Sequence, residues 1–238
     1  MLEILYRDEF LVAINKPSGL LVHRSPIDRY ETEFAVQMLR DQIGQFVYPI
    51  HRLDKPTSGV LLFALDKESA KSMGEQFMLR ESKKSYIAVV RGYTQESGII
   101  DHPLTLKLDK IADKYSTTEL QAQEASTHYE RLGTVELDFA VGKYDKTRYS
   151  LVKLSPLTGR KHQLRRHMKH ISHHILGDTK YGRGEHNIFI REQFGCHRML
   201  LHAITLEIKH PHRDDILLIQ APLDDTFNSI CKLFNSHI

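Results

Sequence analysis

The sequence predicts an α+β domain whose central sheet is mixed and mainly antiparallel, with helices packed against it. Segments with a strand pattern outnumber segments with a helical pattern, and the two do not alternate regularly as in a parallel βαβ fold. Of the 238 residues, 41% are hydrophobic and 26% are charged, which is the balance of a folded globular protein. We therefore expect a single domain over residues 1–238.

The first half of the chain predicts a strand-rich start and two helices. Short strands are expected at 2–6, 11–15 and 20–23, the last after a Pro-Ser-Gly turn. In the segment 31–44, apolar residues recur at i, i+3, i+4 and i+8 and a glycine closes the run, which predicts a helix. The apolar run 59–65 predicts a strand buried on both faces, followed by a helix at 67–80 and a strand at 84–91.

The second half predicts further strands and a closing helix. Residues 107–126 are polar with few large apolar side chains, so we expect a long excursion or mobile loop there. Strands are expected at 127–137, 148–154, 200–208 and 216–220. The last helix is predicted by apolar residues at helical spacing: Phe227, Ile230, Cys231 and Phe234.

Composition excludes several classes of protein. The two cysteines, Cys196 and Cys231, have no CxxC spacing, which argues against a disulfide framework or a cysteine zinc site. No segment approaches eighteen apolar residues in a row, so no membrane partner is expected. We expect a cytoplasmic protein.

Positive charge is concentrated in one stretch although the formal net charge is only +3. Residues 160–183 contain seven lysines or arginines and five histidines against one acid, Asp178. Such a stretch could face a phosphate backbone. Its histidines also suggest a metal site, but no HExxH unit occurs, and we expect no bound metal.

The sharpest local feature is HRLDKPTSGVLLFA at 51–64, a charged loop that runs directly into a buried strand. A loop of this kind presents side chains from a rigid base. Asp54 lies in it, with Arg52 nearby, and Thr57 can hydrogen-bond to the loop backbone. Taken alone, an aspartate in a loop is more often a cap or turn residue than a catalytic group.

HRLD followed by TSG and an apolar strand resembles the first catalytic motif of the RluA-type pseudouridine synthases, which isomerise uridine in RNA. KKSYIAVVRG at 83–92 resembles the second motif, whose tyrosine falls at Tyr86. LTGRKHQLRRHM at 157–168, followed by ILGDTKYG, resembles the third; its functional arginine corresponds to Arg165, with Arg160 as the alternative. Ser-His-His at 172–174 departs from the family's Gly-His-Pro, which bears on the local loop shape.

The resemblance implies the pseudouridine synthase catalytic fold without a separate N-terminal RNA-binding domain, and a reaction that needs no cofactor. The C1′ to N1 bond breaks, the base turns, and it rejoins through C5. Asp54 is implied as the catalytic carboxylate, which could attack C1′, attack C6 of the base or assist elimination. Arg165 is implied to keep that carboxylate charged, although it could instead bind phosphate.

Tyr86 has two possible roles. After the base is reattached, the proton on C5 must leave, and the resemblance places Tyr86 to accept it. A tyrosine whose pKa is near 10 is a poor base, however, and Tyr86 could instead pack under the uracil ring.

The RNA is expected to expose its target by flipping the nucleotide out of its stack. Arg52 is implied to fill the vacated place, or else to pair with a phosphate. The full set of residues expected to bind RNA is His51, Arg52, Thr57, Arg160, Lys161, His162, Arg166 and Lys169.

The opening LEILYRDEFLVAINKPSG and the segment GRKHQLRRHMKH resemble the family members that act on uridine 65 of certain tRNAs. We therefore expect a tRNA substrate and a monomeric enzyme. Ribosomal RNA is an alternative substrate, because relatives that act on it share all three motifs. A non-catalytic RNA-binding protein or a metal-dependent nuclease would be alternatives from other classes.

Overall fold

The computed structural model describes residues 1–24, 30–105 and 121–234. Within these residues the chain forms twelve strands and five α-helices. In chain order they are β1 (Glu3–Arg7), β2 (Leu11–Lys16), α1 (Ala35–Ile43), β3 (Tyr48–Pro49), β4 (Ser58–Ala64), α2 (Lys67–Met78), β5 (Lys83–Arg91), β6 (Ser97–Asp101), β7 (Leu104–Thr105), β8 (Ala122–Gln123), β9 (Ser126–Leu137), β10 (Thr147–Pro156), α3 (Gln163–His170), α4 (Gly184–Phe194), β11 (Leu201–Lys209), β12 (Ile216–Gln220) and α5 (Asp225–Cys231), which continues into a 3-10 turn at Lys232–Phe234.

Ten of these strands form one sheet, in the order β1-β2-β4-β11-β5-β10-β9-β6, with β3 beside β4 and β12 beside β11. The strands β7 and β8 pair antiparallel in a separate two-stranded sheet. In the described part of the sheet, β4 and β11 form the one parallel pair, and the other pairs are antiparallel. The predicted α+β class with a mixed, mainly antiparallel sheet is thus confirmed.

The parallel pair at the centre of the sheet depends on a glycine. Gly59 lies opposite Ala203 and has a φ of +110°. A Cβ at this position would overlap the backbone carbonyl of Ala203. Because only glycine adopts this conformation without strain and leaves room for the neighbouring backbone, it allows β4 and β11 to approach each other where the loop enters β4.

Helices cover both faces of the sheet, which explains why β4 is buried along its whole length. On one face Leu39 of α1 packs with Leu61 and Phe63 of β4. On the opposite face Met73 of α2 packs with Leu62. Such burial of apolar surface on both faces stabilises a strand that has no polar side to present to water.

The other half of the sheet is covered in the same way. Leu164 and Met168 of α3 pack with Ala88 and Val90 of β5. The opposite face of β5 packs against α4 and α5. Consequently α3 lies on one face of β5 and the last two helices lie on the other.

Three local predictions need correction. Residues 20–23 do not form a strand, and Leu21 makes only an isolated bridge with Phe34. The carbonyl of Leu20 accepts from Lys16 Nζ (2.8 Å), and the next two carbonyls accept from the first N–H groups of α1. The helix predicted at 67–80 ends at Met78, because Arg80 adopts a left-handed φ of 62°. The helix α4 was not predicted.

The polar excursion predicted at 107–126 lies mostly outside the described residues, and from its end Ala122–Gln123 forms β8. Among the described helices, none combines the length and the apolar character that crossing a bilayer requires.

Candidate active site

A cleft of about 770 Å³ lies where three distant segments of the chain meet. Its walls come from the loop before β4, from the end of α2 with the start of β5, and from the segment between the end of β10 and α3. Asp54, Tyr86 and Arg165, the three residues predicted to be catalytic, all line this cleft.

The loop that carries Asp54 is fixed by a buried lysine. The Nζ of Lys16, which is 0% exposed, donates to the carbonyls of Pro17 (2.9 Å), Leu20 (2.8 Å) and Lys55 (3.2 Å). Burial and the charge of Arg198 lower the pKa of Lys16 to about 7, against the opposing charge of Asp54. Three carbonyl acceptors match the three N–H donors of an ammonium group.

Backbone bonds complete the anchoring of this loop. The N–H of Thr57 donates to the carbonyl of Asp54 (2.9 Å), which closes a turn, and the N–H of Gly19 donates to the carbonyl of Lys55 (2.9 Å). The hydroxyl of Ser18 donates to the carbonyl of Pro56 (2.8 Å). The Pro-Ser-Gly turn after β2 therefore serves as a brace for the loop of Asp54.

Asp54 shares one arginine with a second, buried aspartate. Arg165 Nη1 donates to Asp54 Oδ2 (2.9 Å), while its Nε and Nη2 donate to the two oxygens of Asp178 (2.7 and 2.9 Å). Asp178 Oδ1 also accepts from the backbone N–H groups of Lys180 and Tyr181 (2.9 Å each). The bidentate contact with Asp178 therefore fixes the orientation in which Arg165 meets Asp54.

The surroundings of Arg165 and Asp178 favour the ionised form of both side chains. Burial alone would lower the pKa of Arg165, but the hydrogen bonds and charges of Asp178 and Asp54 outweigh it and raise that pKa. Burial alone would raise the pKa of Asp178, but the hydrogen bonds and charge of Arg165 outweigh it and lower that pKa. The two groups thus form a charged pair inside the protein.

His162 lies beside the free side of Asp54. Its Nε2 is 3.7 Å from Asp54 Oδ1, and its Nδ1 lies 3.0 Å from the hydroxyl of Tyr181. Burial lowers the pKa of His162 to about 4, with the charge of Asp54 opposing the shift. The imidazole is therefore neutral at pH 7, and it does not form an ion pair with Asp54 Oδ1.

Tyr86 lies on β5, where its backbone pairs with Leu154 of β10 and Ala203 of β11. Burial raises the pKa of its phenol, and the nearby charge of Asp54 raises it further. A phenol in this setting keeps its proton at neutral pH.

The residues predicted to bind RNA fall into an inner and an outer group. Thr57 is buried, and His51 Nε2 accepts from the N–H of Leu62 (3.1 Å) while its ring stacks on Phe77. Burial and the charge of Lys84 lower the pKa of His51 to about 3. These two inner residues line the cleft and also brace its loop, and contact with RNA stays a prediction for them.

The outer group is more accessible. Arg52 is exposed at the cleft, and Lys161 and Lys169 are exposed around α3. Arg160, the alternative to Arg165, lines the cleft but donates from Nε to the carbonyl of Glu124 (3.1 Å). Arg166, half-buried on α3, completes this group together with His162.

Three residues that organise the site were not predicted to belong to it from the sequence: Asp178, Tyr181 and Lys16. Asp178 is the only acid between residues 160 and 183, and a lone acid among seven cations is a signal that could have identified it. Tyr181 contacts both Arg165 and His162. Lys16 ends the apolar strand β2 immediately before the Pro-Ser-Gly turn, where a charged residue is otherwise unexpected.

Comparison with known proteins assigns this chain to a family. The RNA pseudouridylate synthase family profile matches residues 10–170. The "tRNA pseudouridine synthase C" of Haemophilus ducreyi is 56% identical over 99% of this chain and 97% of its own length, and that of Vibrio parahaemolyticus is 51% identical over 98% and 95%. Among solved structures, "Human RNA Pseudouridylate Synthase Domain Containing 1" is similar over 100% of this chain and 89% of its own, with a TM-score of 0.73 and 26% identity. The chain therefore belongs to the RNA pseudouridylate synthase family, the enzymes that isomerise uridine in RNA to pseudouridine.

Proposed function

We propose that this enzyme converts uridine 65 of tRNA to pseudouridine, with Asp54 as its catalytic carboxylate. The observation that carries the catalytic assignment is the ion-pair network Asp54–Arg165–Asp178, which holds one carboxylate oxygen in the cleft beside Tyr86. The tRNA assignment is supported by the relatives named tRNA pseudouridine synthase C, which match the chain almost end to end. Their identity over nearly the whole length includes the segments outside the three motifs.

Asp54 is suited to the sugar chemistry because its two oxygens have different surroundings. Oδ2 accepts from Arg165, which holds the side chain in place, while Oδ1 faces the neutral ring of His162 at 3.7 Å. Cleavage of the glycosidic bond develops positive charge at C1′, and a fixed negative oxygen stabilises that charge. Attack at C1′, attack at C6 and assisted elimination all need the same ionised oxygen.

For Tyr86 the structure favours contact with the base over proton abstraction by a phenolate. The side chain of Tyr86 is partly buried, and both burial and the charge of Asp54 raise the pKa of its phenol. We therefore assign Tyr86 the packing of the uracil ring at the floor of the cleft, with the hydroxyl kept protonated. Departure of the C5 proton then requires another acceptor, such as a water molecule positioned in the cleft.

Arg52 is suited to occupy the space that the flipped nucleotide leaves. It is exposed and lies at the cleft, two residues before Asp54 on the same anchored loop. A guanidinium plane can stack between bases as well as pair with phosphate, which lets it replace a missing base in a stack.

The catalytic assignment is tested by Asp54→Asn, which keeps the shape of the side chain and removes its charge. The variant should fold and bind tRNA, yet release no tritium from C5-labelled uridine. Asp41→Asn, a change of an exposed carboxylate on α1, is the matched control and should keep full activity. Tritium release by Asp54→Asn at the rate of the control would overturn the assignment.

The substrate assignment is tested by mapping pseudouridine in total RNA from cells with and without the protein. Loss of the tRNA modification at position 65 alone is the expected result. Loss of a ribosomal RNA site with an intact tRNA pattern would replace tRNA by ribosomal RNA as the substrate, while Asp54 would keep its role.

A further inference from the structure

A second cavity lies at the far end of the two strands that contribute to the catalytic cleft. The strands β5 and β10 pair antiparallel, with Tyr86 opposite Leu154 near the cleft and Arg91 opposite Tyr149 at the other end. Five residues at about 3.3 Å each separate Tyr86 from Arg91, or about 17 Å. A cavity of about 320 Å³ opens beside Arg91.

The walls of this cavity combine cations with aromatic rings. Arg91, Lys146 and Arg148 contribute the charge, and Tyr93 and Tyr144 contribute the rings. Both tyrosines are unusually exposed, at 44% and 51%. Basic side chains interleaved with accessible aromatic rings are typical of surfaces that contact the phosphates and bases of nucleic acids.

A buried histidine holds Arg91 in position. Arg91 Nε donates to His186 Nε2 (3.0 Å), and His186 Nδ1 lies 2.9 Å from the hydroxyl of Tyr149. Because a guanidinium can only donate, Nε2 is the acceptor, so Nδ1 carries the proton and donates to Tyr149. Burial and the charge of Arg91 lower the pKa of His186 to about 4, which keeps the ring neutral in this role.

Arg91 differs from Arg148 and Lys146 because no carboxylate of the described residues contacts it directly, and Glu185 acts on it only at longer range. Arg148 pairs with Glu136 (2.7 Å) and Lys146 with Asp138 (2.8 Å). Among residues 1–24, 30–105 and 121–234, no carboxylate forms an ion pair with Arg91, and its terminal Nη groups have no hydrogen-bond partner. Four N–H donors are therefore available in the fork geometry that matches a phosphate.

The ring of Tyr144 lies next to this guanidinium. Arg91 Cζ is 5.9 Å from the ring centroid, and Lys143 Nζ is 5.3 Å from it. With about half of the side chain exposed, the ring can still accept a nucleobase or ribose against it.

A basic helix connects the two cavities. The helix α3 begins at Gln163, which lines the catalytic cleft, and ends at His170, three residues before His173 in the wall of the second cavity. Its eight residues span about 12 Å at 1.5 Å per residue. Lys169 is exposed on this helix, so the path between the cavities carries positive charge.

We propose that the second cavity binds a backbone phosphate of the RNA substrate about 17 Å from the reacting uridine. Arg91 grips the phosphate, and Tyr144 contacts the adjoining base or ribose. This inference rests on the RNA substrate of the proposed function and adds a contact remote from the chemistry.

The test compares wild type with Arg91→Gln on two RNAs, a tRNA transcript and a short stem that extends only two base pairs beyond the target uridine. For the transcript, the variant should raise Kd and KM about tenfold with kcat unchanged, as expected for loss of one charge-assisted contact. The slope of log Kd against log salt should fall by roughly 0.7–0.9. For the short stem, which does not reach the cavity, wild type and variant should be equal.

Two further variants keep the test decisive. Tyr144→Ala removes a half-exposed ring outside the core and should weaken binding of the transcript alone, even if Arg91→Gln proves unstable. Arg40→Gln, an exposed arginine on α1 that lines neither cavity, is the matched control and should bind both RNAs as wild type does.

Equal binding of the transcript by wild type, Arg91→Gln and Tyr144→Ala would overturn the proposal, as would an equal loss on both RNAs. A wild-type enzyme that does not modify the tRNA would instead refute the proposed substrate. The same variants would then be compared on the RNA that is modified, so the two failures are distinguishable.

Discussion

Replacing Asp178 with asparagine should separate the stabilising role of the buried ion pair from the proposed catalytic role of Asp54. The Asp178 side chain is 1% exposed and accepts four hydrogen bonds, two from Arg165 and one each from the N–H groups of Lys180 and Tyr181. Asparagine keeps one acceptor oxygen but places an NH2 group against these donors. Arg165 then keeps a single carboxylate partner, Asp54.

The size of the effect follows from the burial of this pair. Removing one partner of a buried ion pair costs about 3–5 kcal/mol. Since Asp54 still compensates Arg165, we expect the lower end, about 3 kcal/mol at pH 7. For a chain of this size that loss lowers Tm by roughly 6–12 °C. In Asp54→Asn, by contrast, the side chain is 26% exposed and its amide oxygen can still accept from Arg165, so stability should change by less than about 1 kcal/mol.

The pH dependence gives an internal check. Although burial opposes the shift, Arg165 holds the pKa of Asp178 below its ordinary value of 3.8. A carboxylate whose folded pKa is depressed contributes stability above its unfolded pKa and loses it as pH falls through the folded value. The stability gap between wild type and Asp178→Asn should therefore be constant from pH 5 to 8 and narrow below about pH 4.

Urea unfolding and thermal melts across this pH range, with tritium release measured on the same preparations, provide the assay. The expected pattern is a large stability loss for Asp178→Asn and a complete activity loss with near-normal stability for Asp54→Asn. If Asp54→Asn were the less stable variant, or if Asp178→Asn melted within 2 °C of wild type, the assignment of structural and catalytic roles would be wrong.

Two more changes probe the centre of the sheet and the floor of the cleft. Gly59→Ala should lower the free energy of unfolding by about 3 kcal/mol or more, because it combines strain at φ +110° with overlap against Ala203. Gly74→Ala, inside α2 with open space around it, should raise the free energy of unfolding by about 0.5–1 kcal/mol, and urea titration compares the two variants. Tyr86→Phe keeps the ring but removes a protonated hydroxyl that can donate a hydrogen bond at the floor of the cleft, so it should lower kcat. The pH–rate profile between pH 6 and 9 should not change, because burial and Asp54 keep the phenol protonated; an ionisation that disappears in the variant would show that Tyr86 titrates in the reaction.

The elements that could be predicted from sequence are those whose side-chain pattern has a single explanation. The apolar run of β4 and the helical spacing of α1 and α5 were located within a few residues. The helix α4 was not predicted because its apolar residues do not form one face. Phe189 and Ile190 are buried, whereas Ile188, directly before them in the sequence, is exposed. The strand predicted at 20–23 does not form because the carbonyl of Leu20 accepts from Lys16, and the next two carbonyls accept from the first N–H groups of α1 instead of from a neighbouring strand.

Residues that line the site could be predicted from the sequence, but the ion pairs and hydrogen bonds between them could not. Motif resemblance led to Asp54, Tyr86 and Arg165, and all three line one cleft. The second carboxylate of the network could not be derived from spacing, because Asp178 lies thirteen residues from Arg165 and meets it only after the chain folds back from α3. The same limit applies to Arg91, whose partner His186 is ninety-five residues away.

The charge arrangement of the cleft explains how an enzyme that must attract a polyanion can also stabilise a developing cation. Asp54 and Asp178 share the one guanidinium of Arg165, so these three side chains together carry one more negative than positive charge. The neutral ring of His162 does not cancel this charge. Arg52, Lys161 and Lys169 are exposed around this centre, where in the proposed function they meet phosphates before the base enters. In the proposed mechanism, positive charge therefore serves RNA binding, while the negative charge of Asp54 acts at the sugar carbon. Asp54→Asn removes that charge from the cleft, whereas Asp178→Asn removes the carboxylate that holds Arg165 in place.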